Sequence, residues 1–357
     1  MNKPLLAMTL ADLTEAITAW GLPAFRARQV FRWVWARRQT DATAMTDLPA
    51  ALREPLAERL PPLTGRILRR TQATDGVDKL LLAWPDDETT ETVLIPTRPG
   101  EARRPRRTAC VSTQVGCPIG CRFCASGLGG IRRDLQAAEI VEQVIQWDVL
   151  LAADAPDPGA APRVTHVVLM GTGEPLANYS ASVEACRILV DPARGRLSGR
   201  HLTLSTVGYP DRIRRLADEG IPLTLAISLH APTDALRRKL IPAANRWTID
   251  ELIAAGRTYF ERTGREITLE YVLLADVNDS ARRADQLAAV AKQLRCTVNL
   301  IRYNEVAELP YRRPADGVVR RFRDRLVRAG VNAHIRANRG ADADAACGQL
   351  RRRALTP

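Results

Sequence analysis

No run of the 357 residues is long and apolar enough to span a bilayer, although 46% of them are hydrophobic. The N-terminal stretch lacks the small-residue cleavage site of a secretory leader. Asp12 and Glu15 interrupt its apolar residues, so it reads as an amphipathic helix. Both absences point to the cytoplasm, where thiols stay reduced and clustered cysteines more often bind metal or react than form disulfides. Acidic residues are also in short supply. There are 40 Asp and Glu against 52 Lys and Arg, a net charge of +12, and a pI near 9.9. A polyanionic partner is expected, nucleic acid or membrane surface. The basic residues come in runs: Arg26, Arg28, Arg32, Arg37 and Arg38 on one helix, Arg103, Arg104, Arg106 and Arg107 further on, and Arg351 to Arg353 at the end. Each run by itself suits a solvated face. Three of them framing one catalytic candidate favour RNA or DNA. No short-period repeat is present.

What the chain does have is CPIGCRFCASGLGG, Cys117 to Gly130. Cys117, Cys121 and Cys124 are spaced so that a compact loop can turn three thiolates to one face. Three sulfurs on a four-iron cube leave one iron without a protein ligand, an open position where a small molecule can be bound and changed. The competing readings are a structural zinc site short of its fourth ligand, or three unrelated buried thiols.

Residues 1 to about 60 read as helices. In PAFRARQVFRWVWARR, Ala27, Val30, Phe31 and Val34 recur at helical spacing, with Arg28 and Arg32 opposite. Ile67 to Gln72, Lys79 to Trp84 and Thr92 to Ile95 read as a small antiparallel sheet. Together, residues 1–96 form an accessory RNA-binding region, 97–107 a basic linker, 108–350 the main domain and 351–357 a basic tail. Within 108–350, strands at Thr108 to Val115, Val164 to Met170, His201 to Thr206, Leu223 to Ser228, Ile267 to Leu274 and Thr297 to Tyr303 alternate with helices. Apolar strands alternating with helices mean a parallel sheet covered by helices. Six units fall short of the eight of a closed barrel, so the expected fold is α/β, a partial (βα)6 barrel.

In such folds ligands gather at the carboxyl ends of strands, where this chain has polar and glycine residues: Gly171 to Pro175, Ser205, Ser228-Leu229-His230 and Asn304. S-adenosylmethionine carries an ammonium, a carboxylate, a ribose and an adenine, and it needs partners of these types. Singly, Gly171 and Gly173 also suit a tight turn, and His230 a satisfied core position.

FRARQV, CVSTQVGC (Cys110 to Cys117), the cluster loop, GTGEP, LSTVG, SLHAP and DAACGQL around Cys347 are the motifs of a family. Along nearly its whole length the chain resembles the RlmN-type radical S-adenosylmethionine methyltransferases, which modify adenine carbon 2 in 23S ribosomal RNA and transfer RNA. They share a superfamily with the Cfr carbon-8 enzymes. The resemblance implies a four-iron four-sulfur cluster on Cys117, Cys121 and Cys124, and S-adenosylmethionine at Gly173, Glu174, Ser205, Ser228, Leu229, His230 and Asn304, two molecules per turnover. It further implies that Cys347 takes a methyl group, that a 5′-deoxyadenosyl radical removes hydrogen from it, and that the resulting methylene radical adds to carbon 2. Cys110 then resolves the RNA–protein link by forming a disulfide with Cys347, and Glu91 accepts the carbon-2 proton. Partners implied are the RNA, an electron donor such as flavodoxin and a disulfide reductant, with the enzyme a monomer. Cys186 and Cys296 match no family motif and read as packing residues. The usual proline after Asn304 is replaced by Glu305, and LIRYN is reminiscent of Cfr-type chains. Carbon-8 methylation therefore stays open beside carbon 2, as does a non-catalytic iron-sulfur or zinc RNA-binding protein.

Overall fold

The computed structural model describes residues 3–98, 100, 105–157, 161–194 and 197–350. Arg103, Arg104 and the Arg351 to Arg353 tail lie outside the described residues. The chain opens with α1 (Leu10–Ala19), α2 (Phe25–Trp35) and α3 (Ala50–Arg59). A capping box starts α1: the Thr9 hydroxyl accepts from the Asp12 N–H, and the Asp12 carboxylate accepts from the Thr9 N–H at 2.8 Å. Ala27, Val30 and Val34 of α2 are buried and Arg28 and Arg32 are exposed, as the helical spacing requires. Arg37 and Arg38 fall beyond α2, and Arg38 is not on a basic face. It is buried at φ 59° and donates to the Pro162 carbonyl at 3.0 Å, pinning the helical region to the domain that follows.

Twelve strands follow among the described residues: β1 (Arg66–Gln72), β2 (Asp78–Ala83), β3 (Thr89–Pro96), β4 (Arg107–Cys110), β5 (Gln114–Gly116), β6 (Ile131–Asp134), β7 (His166–Leu169), β8 (Leu202–Thr206), β9 (Thr224–Ser228), β10 (Ile267–Leu273), β11 (Cys296–Arg302) and β12 (Ala333–Ile335). Ten of them form one sheet in the order β1-β2-β3-β4-β7-β8-β9-β10-β11-β12. β1 to β4 are antiparallel, and every pair from β4 onward is parallel. Helices α4 (Ala137–Ala153), α5 (Tyr179–Val190), α6 (Pro210–Ala217), α7 (Asp234–Leu240), α8 (Ile249–Thr263), α9 (Ala281–Ala291) and α10 (Asp316–Arg328) connect the parallel strands. The six expected strand-helix units are all present.

Three features depart from the expectation. The small antiparallel sheet is continuous with the barrel, because β3 pairs β4 with Val93 opposite Cys110 and Ile95 opposite Thr108. The strand expected over Thr108 to Val115 stops at Cys110: Val111 still exchanges backbone hydrogen bonds with Val168 and Gly171, but at Ser112 a side chain takes both backbone groups. The Gln143 amide accepts from the Ser112 N–H at 2.8 Å and donates to the Ser112 carbonyl at 2.9 Å. A seventh parallel strand, β12, is only three residues long, too short to show a period.

Alternation along the strands sorts the side chains. On β10, Leu269, Tyr271 and Leu273 face the helices, where Tyr271 stacks on Phe322 of α10 at 5.5 Å. Glu270 and Val272 face the barrel interior. The helix-facing side is the main apolar core.

Beyond β5 the chain enters the cysteine loop and returns on β6. Gly116 sits at φ +75°, and a Cβ there would lie 2.0 Å from the Gly130 carbonyl oxygen. Gly116→Ala should therefore lower stability by at least about 1–3 kcal/mol and prevent the loop from closing. Thermal denaturation should show a lower midpoint, and iron bound per chain after reconstitution should fall. Wild-type iron content in this variant would mean the hairpin does not set the loop.

Candidate active site

The carboxyl ends of the parallel strands surround a cavity of about 990 Å³ that opens to solvent. Cys117, Cys121 and Cys124 line one side, and Gly173, Glu174, Ser205, Ser228, His230 and Asn304 line the rest, with Cys347 also on its wall. Residues from five strand ends and a C-terminal segment thus meet in one place. Leu229 does not reach it: the residue is fully buried, and its N–H donates to the Glu270 carbonyl at 3.0 Å. Cys110 and Glu91 do not line it either.

Gly171 and Gly173 are explained by close approach to the chain leaving β4. A Cβ on Gly171 would stand 2.7 Å from the Ser112 Oγ, and one on Gly173, at φ +112°, would stand 2.8 Å from the Gln114 Cβ. Glu174 accepts from the Leu176 N–H at 2.9 Å and the Val207 N–H at 2.8 Å, tying the loop after β7 to the exit of β8. The Ser205 and Ser228 hydroxyls are 3.3 Å apart. Asn304 donates to the Cys347 carbonyl at 3.0 Å and accepts from Asn338 at 2.6 Å. The Glu305 carbonyl accepts from Gln349 at 3.2 Å. Opposite, the Ala125 N–H donates to the Gly348 carbonyl at 2.8 Å, and the Ser126 hydroxyl donates to the Leu350 carbonyl. The segment carrying Cys347 is thereby anchored on one side to the cysteine loop and on the other to the loop after β11.

Cys110 and Cys347 are both free thiols. Cys110 is packed among Val77, Val93, Ala345 and Leu350, and burial pushes its thiol up to about 12, with the Arg336 guanidinium opposing. Cys347 is exposed on the cavity wall, and partial desolvation by the surrounding protein raises its thiol too, again against Arg336. The two thiols lie within electrostatic reach of each other and of that one cation. Glu91 lies in a neighbouring cavity of about 580 Å³, 3.0 Å from the Lys79 ammonium.

Models of two families match this chain: the ribosomal RNA large subunit methyltransferase N-terminal domain over residues 3–60, and the radical SAM superfamily over residues 111–287. A probable dual-specificity RNA methyltransferase RlmN of Symbiobacterium thermophilum is 44% identical, over 99% of this chain and 92% of its own. Another of that description, from Gloeobacter violaceus, is 43% identical over 100% of this chain and 97% of its own. The crystal structure of a radical SAM methyltransferase from Sphaerobacter thermophilus superimposes with a TM-score of 0.90 at 43% identity, covering 97% of this chain and 98% of that one. The chain belongs to the RlmN-type radical S-adenosylmethionine RNA methyltransferases.

Family membership implies a four-iron four-sulfur cluster and S-adenosylmethionine, and the donor set fits the cluster. Cys117, Cys121 and Cys124 all line the cavity, and a cube takes each thiolate on a different iron. Burial pushes the Cys117 thiol up to about 12 and raises Cys121 and Cys124. Deprotonating three such thiols together calls for a cationic group between them, which is what an iron cluster provides.

Two further residues went unnoticed in the sequence. Glu270 is 3% exposed. Its Oε1 accepts from Asn299 at 3.2 Å, while its Oε2 has no hydrogen-bond partner; the acid within the apolar run ITLEYVL was the available signal. Arg336 follows the short β12, and nothing in its neighbourhood distinguished it. Cys186, fully buried, and Cys296, whose thiol donates to the Ala291 carbonyl at 3.4 Å, sit in packing positions.

His230 adopts φ 55° and its Nδ1 accepts from the Val272 N–H at 3.1 Å, so the neutral ring carries its proton on Nε2. Burial and then Arg237 lower its pKa to about 3. The sign follows from the usual value of 6.5: the stability owed to the neutral ring is complete above that pH. It is lost as pH falls from there towards 3, at up to about 1.4 kcal/mol per pH unit. Urea denaturation of the iron-free chain should therefore decline less steeply with acidification in His230→Gln than in the wild type. Equal slopes would remove His230 from the acid response.

Proposed function

We propose that the enzyme methylates carbon 2 of adenine in 23S ribosomal RNA, transfer RNA or both, by way of a methylated Cys347. The reading rests on one observation above all: two free thiols, Cys110 and Cys347, share the field of one half-buried cation, Arg336, beside a cavity walled by three further cysteines. Carbon 2 of adenine is not a nucleophile, so direct displacement of a sulfonium methyl by the base has no electron pair to use. When bound, the cluster and two molecules of S-adenosylmethionine per turnover supply a methyl group and a one-electron route to hydrogen removal. Cys347, on the cavity wall, takes the methyl group as a thiolate, the state that Arg336 favours. Gly173, Glu174, Ser205, Ser228, Leu229, His230 and Asn304 hold the cofactor, Leu229 only by shaping the turn. Glu91 accepts the carbon-2 proton. The Cys110 thiolate then attacks the Cys347 sulfur, and the bond from that sulfur to the methylene carbon breaks with its electron pair on the carbon. That carbon takes a proton to become the methyl group of the released base, and an external dithiol reduces the resulting disulfide.

Residues 1–96 grip the RNA. Arg28 and Arg32 face solvent on α2, and Arg37 lies over the Trp33 ring at 4.0 Å, a surface suited to phosphates and unstacked bases. An electron donor such as flavodoxin, a cytoplasmic location and a monomeric state complete the reading. No helix among the described residues is long and apolar enough to cross a membrane.

Anaerobic reconstitution, followed by incubation with reductant, S-adenosylmethionine and an RNA fragment, should yield 2-methyladenosine and 5′-deoxyadenosine by mass spectrometry. A clean carbon-8 product would overturn the regiochemistry. Neither product from fully loaded protein would favour an RNA-binding protein without catalysis. In Cys110→Ala, protein joined covalently to RNA should accumulate, whereas Cys347→Ala should make neither the adduct nor methylated RNA. Free, normally methylated RNA from Cys110→Ala would remove that thiol from the mechanism.

A further inference from the structure

We propose that Lys79 is a positioning residue that holds Glu91 and couples it to the segment carrying Cys347. This rests on the reading of Glu91 as the proton acceptor. Lys79 is 5% and Glu91 1% exposed. The Lys79 Nζ lies 3.0 Å from the Glu91 Oε1 and donates to the Asp344 carbonyl at 2.9 Å, three residues before Cys347. One ammonium thus bridges the carboxylate and the thiol-bearing segment.

The strands make the bridge. Leu81 is opposite Glu91 and Lys79 opposite Val93, so Lys79 and Glu91 are diagonal neighbours on one face of the sheet. Val93 is in turn opposite Cys110. Lys79, Glu91 and Cys110 therefore share a face, and residues 342–345 lie over it: Asp342 and Asp344 wall the same cavity as Lys79 and Glu91, and Ala345 packs on Cys110. A buried ion pair adds little to stability over well-packed apolar residues. Its placement between the proton acceptor and the thiol segment is accounted for by position. During resolution the carboxylate must reach the carbon-2 proton of a base that is still joined to Cys347. A fixed distance between Glu91 and that segment lets the proton pass to the carboxylate while the C–H electron pair stays on the base. Lys79 exchanges no proton with the substrate.

The test compares Lys79→Met, Lys79→Arg, Glu91→Gln and the double variant Lys79→Met/Glu91→Gln in the full-length reconstituted enzyme with an RNA fragment. Mass spectrometry quantifies methylated Cys347, RNA joined to protein and free methylated RNA. Lys79→Met should methylate Cys347 as the wild type does, yet accumulate joined RNA by at least about tenfold. Lys79→Arg should restore release. The double variant, which buries no lone charge, should be no worse than Glu91→Gln, because Lys79 acts through Glu91. The proposal is overturned if Lys79→Met releases product normally while Glu91→Gln traps RNA, or if the double variant adds a further defect. Loss of Cys347 methylation in Lys79→Met would also overturn it, making the lysine a prop of the segment's fold. Normal release from Glu91→Gln would instead defeat the proton-acceptor reading itself, and with it the role for Lys79.

Discussion

The site depends on the close packing of the loop after β7 against the chain that leaves β4. Neither Gly171 nor Gly173 has room for a Cβ, because backbone and side-chain atoms of residues 111–114 occupy that space. Ser112 is the hub of this contact. Its hydroxyl donates to the Glu91 carbonyl and accepts from the Thr172 N–H at 2.9 Å, and its own N–H and carbonyl are held by Gln143 of α4. Asn178 joins the same region by donating to the carbonyls of Thr113 at 2.8 Å and Leu135 at 2.7 Å. The cysteine loop, the strand with Glu91 and the cavity floor are therefore positioned by one set of buried hydrogen bonds. Leaving any of these groups unpaired costs about 1–3 kcal/mol, so the arrangement is strongly specified.

Electrostatics then divides the cavity's surroundings. On one side stand three cysteines whose deprotonation burial opposes. On the other, Arg336 lies within reach of Cys110, Cys347 and Glu270, and its charge favours the thiolate form of both sulfurs. The C-terminal segment touches both sides, through Ala125 and Ser126 of the cysteine loop and through Asn304 and Glu305 after β11. Its far end is tied to the antiparallel strands: Arg339 pairs with Asp75 at 2.7 Å, and Asp342 accepts from the Thr74 N–H at 2.9 Å. The turn between β1 and β2 is thus joined to the segment that leads to Cys347.

Much of this was legible in the sequence. Cysteine spacing is local, so three thiols on one loop could be read without a fold. The alternation of apolar strands with amphipathic helices is a periodic signal, and all six units stand where it placed them. The ends of those strands then led to Gly173, Glu174, Ser205, Ser228, His230 and Asn304, since a parallel sheet sends its carboxyl ends to one rim. Motifs tied Cys110, Cys347 and Glu91 to the reaction, although no local rule says how residues so far apart in sequence come together.

Cysteine placement and hydrophobic period determined that three thiols share one loop, that apolar strands alternate with helices, and that polar and glycine residues follow the strand ends, because these are properties of neighbours along the chain. Tertiary structure alone decided that β3 pairs β4, so that Glu91 and Cys110 share a face, and that Lys79 bridges Glu91 to the segment before Cys347. It also decided that Arg336, just after a three-residue strand, lies within electrostatic reach of two thiols, and that Glu174 uses its oxygens on backbone N–H groups. Pairings of this kind depend on sheet register and on burial, and both exist only after segments distant in sequence have packed.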